Sequence, residues 1–350
     1  MRLRLHSLLV SMACLAWLAV ATAARASDAH PLFQDDAALA VTLEAPWSQV
    51  LRKTRQPGPQ VAVLAYTDAQ GRLHRVNATV ESRGLTRLRV CRFPPLRIRF
   101  AGGAVRGTIF EGQRALKMVT HCKAGRGYEQ YYVKELLAYR IYNLLTEASF
   151  RVRPLEVTYL EPAGGKPNGP RFGFLIEDVR DVARRSGHLV AGEADFAPAD
   201  FEAREMTRFM LFQYLLGNTD WEVLSGPKDD ACCHNVRVVG SENPRTRIAV
   251  PYDFDSSGVV DASYAAPHQG LPITSVTQRL YRGFCLHNPA LQTVRQEFLA
   301  QRAAILALVQ GEPRLGPQGQ RAMTAYIEGF YAVLGDDARF AREISGKCRK

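Results

Sequence analysis

The sequence predicts an α+β protein with a β-rich N-terminal half and a helical C-terminal half. Between residues 60 and 100, short runs rich in Val, Leu and Ile are separated by turn residues, which is typical of β-strands. After residue 199 the apolar residues recur at helical spacing instead. One long helical pattern, from Glu129 to Thr146, interrupts the β-rich half.

The first 26 residues have the features of a secretory signal peptide. Basic Arg2 and Arg4 precede an apolar run from Leu8 to Val20, and Ala24-Arg25-Ala26 provides a small-residue cleavage site. The apolar run is short for a membrane span, although a retained anchor is an alternative. After cleavage we expect no stable transmembrane segment and a periplasmic or secreted protein. The predicted regions are a signal peptide (1–26), a leader (27–58), a β-rich region (59–180) and a helical region (181–350).

Six of the seven cysteines lie beyond the predicted signal peptide. They are Cys91, Cys122, Cys232, Cys233, Cys285 and Cys348. An even number of cysteines in an exported protein predicts disulfides, but their pairing does not follow from the sequence. Because Cys232 and Cys233 are adjacent, we expect them to bond to two distant partners rather than to each other. Free thiols packed as small apolar groups are the alternative.

The formal charge of +11 predicts an acidic partner. A nucleotide, an anionic lipid, an envelope polysaccharide or an acidic protein would each fit. No nucleic-acid-binding signature is present, so nucleic acid is not expected. The basic residues are also scattered along the chain, as on an ordinary solvated surface.

The stretch from Leu216 to Gly258 contains the polar residues with the clearest chemical pattern. Asp220 follows an apolar helical run that Gly217 is placed to end. Asn235 opens one short apolar strand, and Asp253 and Asp255 follow the next. A phosphoryl-transfer site needs one carboxylate that orients the acceptor hydroxyl. It also needs an amide oxygen and a second carboxylate that hold magnesium.

A second pattern lies upstream, where a strand lysine precedes a helix glutamate. Lys117 lies in the short apolar run 114–119, and Glu135 lies in the second turn of the long predicted helix. In phosphoryl-transfer enzymes such a lysine binds the nucleotide phosphates, and the glutamate holds the lysine in position. Arg97 or Arg99 could serve in place of Lys117. Alternatively, both charges lie on solvated faces, as isolated surface charges usually do.

The order of these parts resembles the CotH spore-coat kinase family and, more distantly, HipA. In those families an Asn-x-Asp after a helix is followed by an Asn and then by an Asp-x-Asp. The segments 81–86 and 92–100 are also similar to CotH segments, but Leu85 stands in place of an asparagine and prolines stand in place of lysines, which implies weakened phosphate contacts. Taken alone, these segments are typical of a basic edge hairpin. The resemblance implies a two-lobed protein-kinase-like fold, with a β-rich N-lobe containing one long helix and a helical C-lobe.

The resemblance also implies roles for individual residues. Asp220 takes the catalytic role, and Asn235, Asp253 and Asp255 take metal-binding or auxiliary roles. The residues expected to hold the nucleotide are Lys117, Glu135 and Arg99. The implied cofactors are Mg²⁺ or Mn²⁺ with ATP or GTP, and the implied function is an exported phosphotransferase acting on an unknown protein or polysaccharide.

Three other interpretations remain open. The first is a catalytically inactive envelope protein that binds an anionic glycan or a protein partner, which the long insert 222–233 favours. The second is a calcium loop starting at Asp253, although Tyr264 stands where that loop needs glutamate. The third is a Cys–His hydrolase using Cys122 or Cys233, for which no local signature exists.

Overall fold

A computed structural model describes residues 29–52, 58–162, 164–192, 195–226, 232–241 and 245–350. The predicted signal peptide lies outside these residues, as do Asp229 and Asp230 of the insert. In the part of the chain that is described, no helix combines the length and the apolar character needed to cross a membrane.

Seven strands close into a mixed β-barrel with the order β1-β2-β3-β4-β5-β7-β6. They are β1 (Leu39–Glu44), β2 (Gln60–Thr67), β3 (Leu73–Ser82), β4 (Leu96–Phe100), β5 (Ala115–Val119), β6 (Val152–Leu160) and β7 (Asn168–Ile176). β1 pairs in parallel with β6, which completes the ring, and the other neighbouring pairs are antiparallel.

The alternating residues of β4 and β5 separate the barrel interior from its outer face. Ile98 and Leu116 are partners across the two strands and are fully buried in the core that fills the barrel. Arg97 and Lys117 are partners one position along and point to the opposite face, because successive side chains of a strand alternate. The polar residues of these strands therefore lie together outside the barrel.

The prediction of a two-lobed kinase-like fold is wrong. The β-rich half is a closed mixed barrel, to which β1 contributes from residues that the sequence pattern placed in a leader. Closure depends on pairing between β1 and β6, more than 100 positions apart along the chain, which local patterns do not reveal. Residues 88–90 belong to a short helix rather than to one of the strands expected between residues 60 and 100, and residues 276–281 are irregular although helices are expected after residue 199.

A small three-stranded sheet, in the order β10-β9-β8, carries part of the functional region. Its strands are β8 (Leu189–Val190), β9 (Val236–Gly240) and β10 (Ile248–Pro251). β9 and β10 are antiparallel neighbours, so the residue before β9 lies close to the residues that follow β10.

Eight α-helices are described, and most of the longer ones follow the barrel. They are α1 (Trp47–Val50), α2 (Thr86–Val90), α3 (Arg126–Asn143), α4 (Val179–Arg185), α5 (Ala203–Leu216), α6 (Leu291–Gln310), α7 (Gly316–Leu334) and α8 (Asp337–Glu343). Short 3-10 turns occur at Pro31–Phe33, Pro198–Asp200, Cys285–Ala290, Pro313–Leu315 and Ser345–Lys347.

Helices α3 and α5 form the centre of a second core. Eleven of the fourteen residues of α5 are buried, and α3 contributes large side chains such as Tyr139 and Tyr142. Helix α5 ends at Gly217, which takes the left-handed conformation with φ of 61°. The predicted helix end is therefore confirmed, and the chain leaves a rigid, buried helix immediately before Asp220.

Candidate functional site

A cavity of about 460 Å³ lies where the segment before α2, the loop after α5 and the two ends of the β9–β10 hairpin meet. Its charged or amide-bearing lining residues are Arg83, Arg87, Asp220, His234, Asn235, Arg237, Asp253 and Asp255. This volume is within the range of small-molecule sites. Four of the residues that the sequence predicted, Asp220, Asn235, Asp253 and Asp255, are thus brought together.

The Asp220 carboxylate is held in one orientation by its neighbours. His234 donates a hydrogen bond from Nε2 to Asp220 Oδ1 at 2.8 Å. Asn235 Nδ2 donates to the Asp220 carbonyl oxygen at 2.8 Å and to Oδ2 at 3.1 Å. The Asp220 hydrogen bond raises the pKa of His234 above its usual value, despite the opposing effect of burial. Asp220 remains about one-third exposed to the cavity, with a side-chain exposure of 34%.

Asn235 and Asp253 both adopt a backbone conformation that is uncommon for residues other than glycine. Their φ angles are 53° and 63°. The Tyr252 backbone N–H donates to the Asn235 carbonyl at 3.0 Å, and the Asp253 N–H donates to the Tyr139 hydroxyl at 2.9 Å. Strained positions persist only where the surroundings enforce them, and they cluster at functional sites. The two strained residues flank the cavity at opposite ends of one hairpin.

Arg87 is the centre of the buried side of the cavity. Its Nη1 donates to Glu135 Oε2 at 3.0 Å, its Nε lies 3.0 Å from Asp255 Oδ2, and its Nη2 donates to Asp253 Oδ1. The Arg87 side chain is 6% exposed and Glu135 is completely buried. Three carboxylates therefore share one guanidinium, which leaves the cluster short of positive charge.

This shortage of positive charge is reflected in the pKa values of the carboxyl groups. Burial raises the pKa of Glu135 to about 8 and that of Asp255 to about 6, in both cases against the lowering effect of Arg87. Burial acts to raise the pKa of Asp253 as well, but Arg87, Arg83 and Lys117 together outweigh it and lower that pKa. Asp253 is thus the carboxylate most firmly kept ionised.

Arg83 and Arg237 line the cavity, and Lys117 lies close to both of them and to Asp253 without lining it. Lys117 Nζ lies 4.2 Å from the centre of the Tyr252 ring, and burial with the nearby Arg83 and Arg237 lowers its pKa to about 7. Within the described residues, neither Arg83 nor Arg237 has a hydrogen bond or ion pair from its side chain to a protein group. We call Arg83, Lys117 and Arg237 the basic wall.

The remaining predicted nucleotide-binding residues are placed differently from expectation. The expected ion pair between Lys117 and Glu135 does not form, because Glu135 pairs with Arg87 and Lys117 stacks over Tyr252. Neither Lys117 nor Arg99 lines the cavity, and Arg99 instead pairs with Glu81 at 3.0 Å on a more exposed part of the barrel. Arg97 is the partner of Lys117 across β4 and β5.

Sequence patterns did not single out Arg87, His234 or Arg237 as site residues. Arg87 immediately follows the segment 81–86, whose similarity to a CotH segment was the available signal. His234 follows Cys233 directly, but no zinc-binding spacing of cysteines and histidines surrounds it. Arg237 lies inside an apolar strand, and its outward direction becomes informative only when the hairpin register is known.

Three disulfides connect all six cysteines of the described chain. The pairs are Cys91–Cys122, Cys232–Cys233 and Cys285–Cys348. The expectation that the adjacent cysteines bond to distant partners is wrong, since Cys232 and Cys233 bond to each other and line the cavity. The two thiols considered for a Cys–His hydrolase, Cys122 and Cys233, are both in disulfides, so neither provides a free nucleophile.

The oxygen atoms of Asn235 and Asp253 are suitable ligands for a magnesium ion that is also coordinated by phosphate. Among the described residues, no three His, Cys, Asp or Glu side chains are arranged to hold a metal ion. Magnesium often takes only one or two protein carboxylates, because water and phosphate complete its shell. Asn235 uses Nδ2 to hold Asp220, while its Oδ1 accepts no hydrogen bond from the described residues. Asn235 and the 27% exposed Asp253 together could supply this small ligand set.

The calcium-loop interpretation does not fit these contacts. Tyr264, at the position where the loop needs glutamate, donates its hydroxyl to Asp255 Oδ2 at 3.1 Å. The other contact of that oxygen is Arg87. Asp255 Oδ2 is therefore already bound by Tyr264 and Arg87 and is not available as a calcium ligand.

Comparison of the chain with models of known protein families gives no match. Comparison with curated proteins gives no match either.

Proposed function

We propose that this cavity transfers a phosphoryl group from a magnesium-bound nucleotide to a hydroxyl acceptor outside the cytoplasm. The observation that carries the proposal is the meeting of three elements at one cavity: an oriented Asp220, an Asn235–Asp253 pair and the basic wall. Positioning and electrostatic stabilisation are the main requirements of phosphoryl transfer, and each element supplies one of them.

The basic wall accounts for binding of the phosphates. Arg83 and Arg237 have guanidinium groups without a carboxylate partner in the described structure, and arginine binds phosphate through two parallel hydrogen bonds. Lys117 adds a point charge beside them, and phosphate would favour its protonated form. The two arginines of the wall line the same cavity as Asp253, and Lys117 lies beside them, so phosphates bound at the arginines would also be close to Asp253.

Asp220 accounts for binding of the acceptor. Its two oxygens are already held by His234 and Asn235, which reduces the freedom of the carboxylate before any substrate enters. An acceptor hydroxyl that donates to this carboxylate would be oriented towards the phosphate, and its proton would pass to Asp220 or to solvent during transfer. The similarity of the motif around Asp220, Asn235 and Asp253 to the CotH kinases supports the same class of reaction.

The metal would be held by Asn235 and Asp253, with Asp255 behind them. Bound there, magnesium would offset the negative charge of the phosphates and of the carboxylate cluster. The protein itself contributes three functions. The basic wall binds the phosphates, Asp220 orients the acceptor hydroxyl, and Arg87 neutralises the carboxylates.

The three disulfides support a location outside the reducing cytoplasm. With the signal-peptide features of residues 1–26, this favours a periplasmic or secreted protein, whose acceptor would be a protein or an envelope polysaccharide.

The deciding experiment measures transfer and binding separately. Purified protein is incubated with Mg²⁺ and γ-labelled ATP or GTP, and release of the label to water, to the protein itself or to an envelope extract is followed. Asp220→Asn should reduce transfer at least about a hundredfold while leaving nucleotide binding intact, since loss of a general base typically has this effect. Asp195→Asn, which alters an exposed carboxylate that does not line the cavity, is the matched control.

One observation favours a second function, binding of an anionic ligand without catalysis. Arg87 already occupies Asp253 and Asp255, the carboxylates that a metal would need. A thermal-shift measurement discriminates between the two functions. Mg²⁺ with ATP should stabilise the transferase through mass action, whereas a purely anion-binding protein should respond equally to a sulfated glycan with or without Mg²⁺.

A further inference from the structure

We propose that Arg87 makes metal binding and phosphate binding at this site depend on each other. In the structure Arg87 neutralises the carboxylates that would otherwise hold a cation. A phosphate that draws the guanidinium away would release them. The inference rests on the proposed phosphotransferase function, and it concerns how that site is loaded.

The geometry shows that the guanidinium and a metal compete for the same oxygens. Arg87 contacts Asp253 through Nη2 and Asp255 through Nε, and both carboxylates line the cavity. A divalent ion at Asp253 would compete for the same oxygen lone pairs and would repel the adjacent guanidinium. Free metal alone therefore has to displace a bound cation before it can bind.

Arg87 cannot move far from the carboxylates when displaced. It lies in α2, whose next residue, Cys91, is bonded to Cys122 just beyond β5. Glu135, completely buried, holds Nη1 on the side away from the cavity. A tethered group competes at a high effective concentration, so weak binding of free metal is the expected consequence.

Phosphate changes this balance because it offers Arg87 another partner. Arg87 lines the cavity together with Arg83, so an anion on the basic wall lies next to it. Charge-assisted hydrogen bonds from guanidinium to phosphate are strong and geometrically matched. Once Arg87 turns to phosphate, Asp253 is free for the metal. By reciprocity, metal must then increase phosphate affinity by the same factor.

The test uses Mn²⁺ as a spectroscopic probe, with free Mn²⁺ followed by electron paramagnetic resonance. Wild-type protein is titrated alone and with a saturating non-hydrolysable imido analogue of ATP. We expect the analogue to tighten Mn²⁺ binding by at least about tenfold beyond the binding of Mn²⁺ to the analogue in solution, within the usual range of coupling between sites.

Substitution of Arg87 gives the second arm. Arg87→Gln should tighten binding of Mn²⁺ alone and reduce the coupling to about threefold or less, because the competitor is gone. Arg87→Lys retains one charge but loses the three-way contact, so it should give intermediate coupling and serves if the glutamine variant does not fold. Arg92→Gln, an exposed arginine two residues beyond α2, should match wild type.

The outcomes are distinct. Tight binding of Mn²⁺ alone to wild type, unchanged in both Arg87 variants, would overturn the coupling and leave the phosphotransferase proposal standing. Failure of wild type to bind Mn²⁺ with the analogue at all would overturn both proposals. If the coupling is unchanged in Arg87→Lys and Arg87→Gln, other residues cause it and the role of Arg87 is refuted.

Discussion

Replacing Arg87 by methionine should strongly destabilise the protein, because it leaves three carboxylates without their shared partner. Side-chain exposure is 0% for Glu135, 9% for Asp255 and 27% for Asp253. Breaking a buried ion pair by removing one partner typically costs about 3–5 kcal/mol. Asp253 opens onto the cavity, where water screens it, so we expect a loss at the lower end, about 3 kcal/mol.

The same substitution should make stability more dependent on pH. Burial already raises the pKa of Glu135 to about 8 and of Asp255 to about 6, and Arg87 opposes that rise. Without Arg87 both values rise further. A carboxyl group whose pKa is higher in the folded than in the unfolded state lowers the free energy of unfolding at pH values above its unfolded pKa. This loss of stability disappears at low pH, where the group is protonated in both states. The deficit of Arg87→Met should therefore be larger at pH 8 than at about pH 5.5.

Urea unfolding at both pH values, with the disulfides intact, measures this deficit directly. Arg92→Met is the control for loss of an exposed arginine close in sequence. A loss below about 0.5 kcal/mol, as for ordinary surface substitutions, would refute the description of Arg87 as a shared buried counter-ion. Equal deficits at the two pH values would refute the assignment of the loss to Glu135 and Asp255.

Three further outcomes are expected. Lys117→Met should weaken binding of the ATP analogue by about tenfold in a calorimetric titration, because it removes one charge of the basic wall; an unchanged affinity would exclude Lys117 from phosphate binding. Burial among Phe93 and Tyr159 lowers the pKa of His121 to about 4. Stability should therefore fall by up to roughly 3 kcal/mol as pH drops from about 6.5 to 4, and His121→Phe should remove that part of the urea-midpoint shift. Gly217→Ala should lose more stability than Gly187→Ala, since both glycines have left-handed φ angles of 61° and 73° but only a methyl group at 217 would collide with the Tyr326 hydroxyl. Similar thermal unfolding of the two variants would contradict this account.

The strained residues at the cavity link the fold to the proposed chemistry. Asn235 and Asp253 hold left-handed conformations that β9, β10 and Tyr139 enforce through backbone hydrogen bonds. In these conformations the Asn235 side chain contacts Asp220, and the Asp253 side chain contacts Arg87. The buried core around α3 and α5, which includes Tyr139, thus holds the backbone at Asp253 in place.

The sequence was sufficient for features that depend on near neighbours along the chain. The apolar face of α5, its end at Gly217 and the strands β9 and β10 followed from spacing and from one glycine, and this placed Asp220, Asn235 and Asp253 at the ends of consecutive elements. Such ends are few, so polar residues found there could be proposed as partners before the structure was known.

Contacts between remote parts of the chain could be decided only by the tertiary structure. Arg87 meets Glu135 and Asp253 across 48 and 166 positions, and β1 closes the barrel by pairing with β6. The wrong choice of Lys117 as the partner of Glu135 has the same origin. A charge pattern in one dimension shows which groups need a counter-ion, but packing determines which one reaches them.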